Sequence, residues 1–217
     1  MCSNFETADA DKLAALCGGR RPEFAYPKEC FPTGDAPIIV RDEQGHLMPV
    51  RASFGMLPHW AKPVLARRTH NARSETVAEK PSFRNAWKKL QTCLVPVQHF
   101  NEPCYESGKA VWHSIGRKDK ELALLAGLWE TKKNEDGSDH RSFTMLTINA
   151  EGHPIMGRMH APGEEKRSVV PIEQPDWLVW LAPENHEELR GLLKLFDAEF
   201  YEDWPNPKAP RKSALKK

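Results

Sequence analysis

The sequence predicts an α+β domain built mainly on antiparallel strands, with a few helices. Short apolar and β-branched runs recur along the chain between turn sequences, and only three segments indicate helices. The chain has 217 residues and 40% hydrophobic content, which is enough for one core of ordinary domain size. We therefore expect a single domain.

The first predicted pair of strands is a hairpin. Ala36–Val40 is followed by a turn at 42–45 and by a return strand that is broken at Pro49. The other predicted strands are Thr92–Val97, Ala110–Ile115, Leu122–Trp129, Ser142–Ile148 and Val169–Ile172. The turn residues at 134–140 favour a second hairpin.

Helices are predicted in three places. The first covers residues 10–17, and the second lies around Ser82–Leu90 with Ser82 as its N-cap. The third covers Pro183–Phe200, because apolar residues recur there at helical spacing.

The charge of the chain is unevenly distributed. Net charge is only +1, but residues 208–217 carry five basic side chains and no acid, which leaves about −4 on the rest. Such a tail either contacts phosphates or is a solvated terminus. We divide the chain into a folded domain at 2–204 and a basic, disordered tail at 205–217.

Several classes of protein are disfavoured. No membrane span and no signal peptide is predicted, so we expect a cytoplasmic protein. The five cysteines are odd in number and include no CxxC pair, which argues against disulfides and zinc. Cys17, Cys30 and Cys93 are expected to be inert, semi-buried thiols. No metal or organic cofactor is indicated.

Cys2 carries a specific chemistry if Met1 is removed. A free N-terminal cysteine is a 1,2-aminothiol whose amine titrates near pH 8, so part of it is neutral at pH 7. The amine forms an imine with an aldehyde, and the nearby thiolate then closes a five-membered thiazolidine ring. Position alone, however, favours the interpretation that Cys2 is an arbitrary second residue.

Other polar residues lie near predicted turns and strand ends. Trp60, next to Pro58, either stacks on nucleic-acid bases or closes a turn in the core. Residues 71–73 (NAR) form a polar loop that taken alone is a solvated turn. Glu102 follows an apolar strand and is either a general acid or base or an exposed carboxylate. His160 is either structural or catalytic.

Taken in order, these segments resemble the SOS response-associated peptidase (SRAP) family of abasic-site processing proteins. The matching segments are Met1-Cys2, ECFPTGDAPIIV at 29–40, FGMLPHWAK at 54–62, NARSET at 71–76, KPSFRNAWKKLQTCLVPVQHFNEP at 80–103, LALLAGLWE at 122–130, FTMLTINA at 143–150 and Met159-His160. Each segment is weak alone, but their order and spacing up to about residue 180 are specific. The resemblance implies one compact domain with a barrel-like mixed sheet and a positively charged DNA groove.

The resemblance also implies a function. Cys2 would attack the ring-opened sugar aldehyde of an abasic site in single-stranded DNA and form a thiazolidine crosslink that protects the site during the DNA damage response. A self-processing peptidase activity and a lyase-like reversal of the crosslink are implied as well. The expected partner is abasic single-stranded DNA, bound by a monomer that associates with the nucleoid when on DNA.

The family's roles fall on individual residues of this chain. Cys2 matches the nucleophile, and Asn71 would hold the N-terminal amine or the sugar. Glu102 would transfer protons as the imine forms and closes. His160 would donate a proton to the sugar ring oxygen. The residues implied in DNA binding are Arg73 at a phosphate, and Trp60 and Pro58 against bases beside the lesion.

The chain departs from the family pattern in three places. Ser3 and Asn4 stand where the family has Gly and Arg, so a phosphate-binding arginine is missing beside the nucleophile; the candidates to replace it are Arg67, Arg68 and Arg20. HFNEP at 99–103 keeps the glutamate of Gly-Phe-Tyr-Glu-Trp but loses the aromatics that flank it. An insertion follows His160, which leaves His153 as a rival for its role.

Two other functions fit the same residues. Cys, His and Glu together fit a cysteine peptidase acting on protein substrates, although no papain-like or caspase-like signature is present. A non-covalent single-stranded DNA-binding protein would use Trp60, Arg73 and the basic tail, and its binding would be sensitive to salt.

Overall fold

A computed structural model describes residues 2–207 of the chain. The strands are β1 Phe5–Thr7, β2 Glu29–Cys30, β3 Asp35–Arg41, β4 Leu47–Phe54, β5 Asn71–Arg73, β6 Thr92–Cys104, β7 Val111–Arg117, β8 Ala123–Lys133, β9 Asp139–Asn149, β10 Arg167–Val169 and β11 Tyr201–Pro205. The α-helices are α1 Ala10–Leu16, α2 Arg84–Lys88, α3 Trp177–Leu181 and α4 His186–Leu192. Short 3-10 turns cover Pro63–Arg68, Met156–Arg158 and Gln174–Asp176.

Five of the strands close into a barrel. β3 pairs with β4, β9 with β8, and β8 with β6, all antiparallel, whereas β4 pairs parallel with β9. The ring closes where Ile39 of β3 faces Leu94 of β6. Closure removes the exposed sheet edges that an open arrangement would leave. The predicted α+β class and its barrel-like mixed sheet are confirmed.

Alternate residues of the barrel strands belong to two separate cores. Ile38, Phe54 and Phe143 lie in one cluster with Cys2, whereas Ile39 lies in the other. The second cluster includes apolar residues of all four α-helices, so the helices cover the outside of the barrel and the first cluster fills its interior. The N-terminal residues are therefore part of the barrel core.

Three strand predictions were wrong in detail. β10 covers Arg167–Val169 and not Val169–Ile172. β4 runs unbroken through Pro49, which faces Ile39 of β3. β4 meets β9 only at Ser53 and Phe54, so the missing N–H of Pro49 lies where the strand has one free edge. β6 does not end at Val97 but continues to Cys104, because β1 and β7 pair with its second half.

The helix predictions were right for α1 and too long for the others. Ser82 is not a cap, since α2 begins after Phe83 and has no side-chain cap bond. The last helix ends at Leu192 rather than at residue 200. The chain leaves the helix there, and Phe196 inserts into the barrel core, with its ring centroid 4.4 Å from that of Tyr201. Tertiary packing overrides the helical spacing of the sequence.

The chain ends differ from the predicted boundary. β11 pairs along β7 up to Pro205, so the folded part includes residues that the prediction gave to the tail. The basic residues 208–217 lie outside the described residues. No helix among residues 2–207 is long and apolar enough to cross a membrane.

Gly55 fixes the segment that follows β4. Its φ is +121°, a region that side chains rarely adopt, and a Cβ at this position would lie 2.0 Å from the carbonyl oxygen of Ala66. Ala66 belongs to the 3-10 turn that carries Arg67 and Arg68. This close approach of two backbones holds the exposed turn against the barrel.

We expect Gly55→Ala to destabilise the fold by more than Gly137→Ala. Gly137 also has a positive φ, of +81°, but no atom lies within 4 Å of its would-be Cβ. The control therefore costs about 1 kcal/mol from φ alone, and Gly55→Ala adds roughly 1–3 kcal/mol of overpacking. Urea denaturation of both variants measures the difference. Equal losses would show that the contact with Ala66 relaxes freely.

Candidate functional site

β1 brings the N-terminus to the second half of β6. Phe5 faces Phe100, and the amide of Asn101 donates to the carbonyl of Asn4 at 3.0 Å. Because the two strands are antiparallel, residues before Phe5 run beside residues after Phe100. Cys2 is thereby carried towards Glu102 and is fully buried.

Asn71 holds the backbone of Cys2. Its side-chain nitrogen donates to the Cys2 carbonyl at 2.6 Å. Asn71 starts β5, which is fixed by parallel pairing with β9 from Met145 onward. The side-chain oxygen of Asn71 is buried and accepts no hydrogen bond from residues 2–207, so one acceptor beside Cys2 is left for another group.

Glu102 and His160 form a buried pair. His160 Nε2 lies 3.2 Å from Glu102 Oε2, and the side chains are 6% and 1% exposed. Glu102 is within β6, and His160 is tied to the same strand because its amide donates to the carbonyl of Pro103 at 2.8 Å. The pair is therefore held by backbone bonds rather than by side-chain packing alone.

His160 adopts an unusual backbone conformation. Its φ is +66°, which is uncommon outside glycine and asparagine. The bond to Pro103 and the donation of Lys166 Nζ to the His160 carbonyl at 3.0 Å hold it there. Strain of this kind persists where the surroundings over-determine a residue, and it is frequent at functional sites.

The Cys2 thiol is kept protonated by its surroundings. Burial, and then the negative charge of Glu102, raise the pKa of the Cys2 thiol to about 12. The thiol donates weakly to the carbonyl of Asn4, at 3.5 Å. The pairing of β1 with β6 runs the residues before Phe5 beside those after Phe100, among them Glu102. The four predicted residues Cys2, Asn71, Glu102 and His160 thus share one region.

His153, the rival of His160, is engaged elsewhere. Its Nδ1 accepts from the amides of Ile155 and Met156 at 3.2 and 3.1 Å, and its Nε2 lies 2.8 Å from the carbonyl of Phe196. Since an amide donates to Nδ1, the proton of the neutral ring is on Nε2. Both nitrogens serve to fold the chain around Phe196.

A family model described as SOS response associated peptidase (SRAP) matches residues 1–207. The chain belongs to the SRAP family. Two proteins of Bacillus subtilis (strain 168) named abasic site processing proteins are similar to it. YoqW is 29% identical over 172 residues, which is 77% of this chain and 73% of YoqW. YoaM is 29% identical over 181 residues, which is 82% of this chain and 76% of YoaM.

Solved structures share the SRAP architecture of this chain. A crystal structure of a protein from Bordetella bronchiseptica has a TM-score of 0.87 at 30% identity, covering 95% of this chain and all of that one. A protein from Bacteroides thetaiotaomicron has a TM-score of 0.80 at 23% identity, covering 94% and 91% of the two chains. At 23% identity, the similarity to the Bacteroides thetaiotaomicron protein supports only the shared fold.

In this SRAP chain, Asn4 is part of a buried network. Asn101 Nδ2 donates to Asn4 Oδ1 at 2.5 Å, Ser114 Oγ donates to Asn101 Oδ1 at 2.7 Å, and Asn206 Nδ2 donates to Ser114 Oγ at 2.8 Å. Asn4 also donates to the carbonyl of Cys30 at 3.3 Å. The side chain at position 4 therefore anchors the N-terminal strand, where the family pattern has an arginine.

The residues predicted to bind DNA differ in exposure. Trp60 is 55% exposed, so it is not the core tryptophan of the alternative interpretation. Arg67 and Arg68 are exposed on the 3-10 turn behind it. Pro58, in contrast, is buried. Arg20 donates to the Cys17 carbonyl at the end of α1.

Three cysteines are more deeply buried than predicted, and one further histidine lies next to the site. Cys17, Cys30 and Cys93 are fully buried rather than semi-buried. No sequence motif indicates a role for His70, the residue before Asn71. Its ring packs edge-on against Phe54 at 5.5 Å, and its Nδ1 is buried and has no hydrogen-bond partner within residues 2–207. Burial lowers the pKa of His70, so the ring is neutral at pH 7.

We expect Asn101→Ala to destabilise the protein by about 1–3 kcal/mol, because it leaves the buried oxygen of Asn4 without its partner. Asn206→Ala removes the outer bond of the same network at a half-buried residue and should cost only about 0.5–1.5 kcal/mol. Chemical denaturation compares the two. If Asn101→Ala costs no more than Asn206→Ala, the network does not anchor β1.

Proposed function

We propose that this protein captures abasic sites in single-stranded DNA by forming a covalent thiazolidine at Cys2 once Met1 is removed. The observation that carries the proposal is that Asn71 holds Cys2 in the barrel core, just before the strand that pairs with β6, and β6 carries the glutamate of a buried carboxylate–imidazole pair. The names of the Bacillus relatives support a substrate of this class.

The reaction proceeds through the amine. The α-amine of Cys2 attacks the aldehyde carbon of the ring-opened sugar, and loss of one water gives an imine. The thiol then adds across the C=N bond, so that a C–S bond forms and the thiol proton passes to nitrogen. One water is released overall, and ring closure is favoured because the second step is intramolecular.

The helper residues move protons and hold the reactants. His160 donates a proton to the ring oxygen of the sugar as the bond from C1 to that oxygen breaks, and the C1 hydroxyl gives up its proton to water, which leaves the aldehyde. Glu102 accepts a proton from the attacking amine and returns it to the departing hydroxyl. The separation of 3.2 Å between the two side chains allows a proton to pass directly between them. Asn71 orients Cys2 through its carbonyl.

Exposed side chains outside the buried site bind the DNA strand. Arg73 binds a phosphate near the lesion, while Trp60 stacks on a neighbouring base. Arg67 and Arg68 add positive charge next to Trp60, in place of an arginine at position 4. The protein acts as a monomer, and the crosslink protects the abasic site.

A general cysteine peptidase fits the site less well. Such an enzyme requires a thiolate near neutral pH, whereas burial and Glu102 raise the pKa of the Cys2 thiol to about 12. Thiazolidine closure has no such requirement, because the neutral thiol delivers its proton to the imine nitrogen.

We expect protein lacking Met1 to form a denaturant-resistant species with abasic single-stranded DNA, with a mass equal to the sum of both partners minus one water. Cys2→Ala keeps an N-terminal amine but no thiol, so its product should survive denaturation only after borohydride reduction of the imine. Cys17→Ala, a buried cysteine in the helix-side core, is the matched control.

Intact mass spectrometry and denaturing gels read the outcome. A Cys2→Ala variant that crosslinks without reductant as well as wild type would remove the thiazolidine from the proposal. Protein that retains Met1 should not crosslink, since its Cys2 nitrogen is an amide. A non-covalent DNA-binding protein would give salt-sensitive binding and no covalent species in any of these samples.

We expect His160→Asn to slow crosslinking by about 100-fold or more, the usual contribution of a general acid or base. Asparagine tolerates the positive φ of residue 160, so the variant should fold. His153→Asn is the control, because its oxygen can still accept from the amides of Ile155 and Met156. Single-turnover rates at saturating DNA measure the effect. A slow His153→Asn with a fast His160→Asn would contradict the assignment.

A further inference from the structure

One carboxylate bridges two arginines beside the candidate site. Glu165 Oε2 lies 2.8 Å from Arg73 Nη1, and Glu165 Oε1 lies 2.5 Å from Arg167 Nη1. Arg73 is the residue that the proposed function assigns to a DNA phosphate. The Arg73 side chain is 52% exposed, but its guanidinium is already paired with the Glu165 carboxylate.

The two arginines are held very differently. Arg167 is 2% exposed and also contacts Glu75 at 2.8 Å and the Thr147 carbonyl at 2.7 Å. It is a fixed part of the fold. Arg73 has only the contact with Glu165 among its ion pairs in the described part of the chain. If Arg73 turns to another anion, Glu165 keeps its bond to Arg167 and is not left unpaired.

The segment that carries Glu165 is tied to the backbone around His160. It follows His160 directly, and Lys166 Nζ donates to the carbonyls of Met159, His160 and Ala161 at 2.8, 3.0 and 3.2 Å. These bonds hold residues 161–166 as a compact loop. The loop therefore presents the Glu165 carboxylate to Arg73 from the same connection that positions His160.

We propose that Glu165 is an internal competitor of DNA, which occupies the phosphate site of Arg73 until a phosphate displaces it. The inference rests on the proposed function, which gives Arg73 to a DNA phosphate. A guanidinium binds carboxylate and phosphate oxygens with the same N–H donors. The Glu165 carboxylate and a DNA phosphate therefore cannot occupy the Arg73 guanidinium together. Because partly exposed ion pairs are weak, displacement is easy and the penalty on DNA binding is modest.

The test compares Glu165→Gln with Glu164→Gln, which removes the same charge from the exposed neighbouring residue. Both are made in the wild-type chain and with Arg73→Ala, and binding to an intact single-stranded oligonucleotide is measured by fluorescence anisotropy at low salt. Glu165→Gln should bind about three-fold tighter than Glu164→Gln. The difference should vanish with Arg73→Ala, since the competitor acts through that arginine.

Three results would overturn the inference. They are equal binding by the two glutamine variants, a gain for Glu165→Gln that persists with Arg73→Ala, and a loss of affinity in Glu165→Gln, which would mean that Glu165 presents Arg73 to DNA. Intact DNA has no aldehyde, so this readout is independent of crosslinking. Failure to crosslink abasic DNA would instead count against the proposed function.

Discussion

The antiparallel pairing of β1 with β6 is the interaction on which the candidate site depends. It places Phe5 opposite Phe100 and so brings the first residues of the chain alongside Glu102. An N-terminus is ordinarily frayed, because few contacts hold it. Here Cys2 lies in the barrel core and its carbonyl accepts a hydrogen bond from Asn71, so the proposed nucleophile is held in place by the fold.

Burial has a direct effect on the chemistry that this site can perform. It raises the pKa of the Cys2 thiol and brings Glu102 and His160 together in a region shielded from water, where proton transfer between fixed groups is efficient. The positive φ of His160 belongs to the same arrangement, because the bond to Pro103 turns the imidazole towards Glu102. A site of this kind suits a neutral amine and thiol better than a thiolate.

Two places where the sequence differs from the expected family motifs, Asn4 and the segment after His160, have defined contacts in the structure. Asn4 is buried and belongs to an amide network with Asn101 and Ser114, so residues 4 and 101 pack against each other. The segment after His160 carries Glu165, which pairs with Arg73. In the proposed function, DNA binding depends on exposed residues such as Trp60 and on displacement of Glu165 from Arg73.

The sequence by itself determined the α+β class, the hairpin of β3 and β4, and the chemistry of an N-terminal cysteine, because these follow from local periodicity, turn residues and atoms near one another on the chain. Only the tertiary structure decided which polar residues meet. The 3.2 Å contact of Glu102 with His160 joins residues far apart in sequence. Likewise, α4 ends at Leu192, and Phe196 then packs in the barrel core with residues distant in sequence. Both depend on long-range strand pairing and on burial, which compete with local preference and are invisible to it.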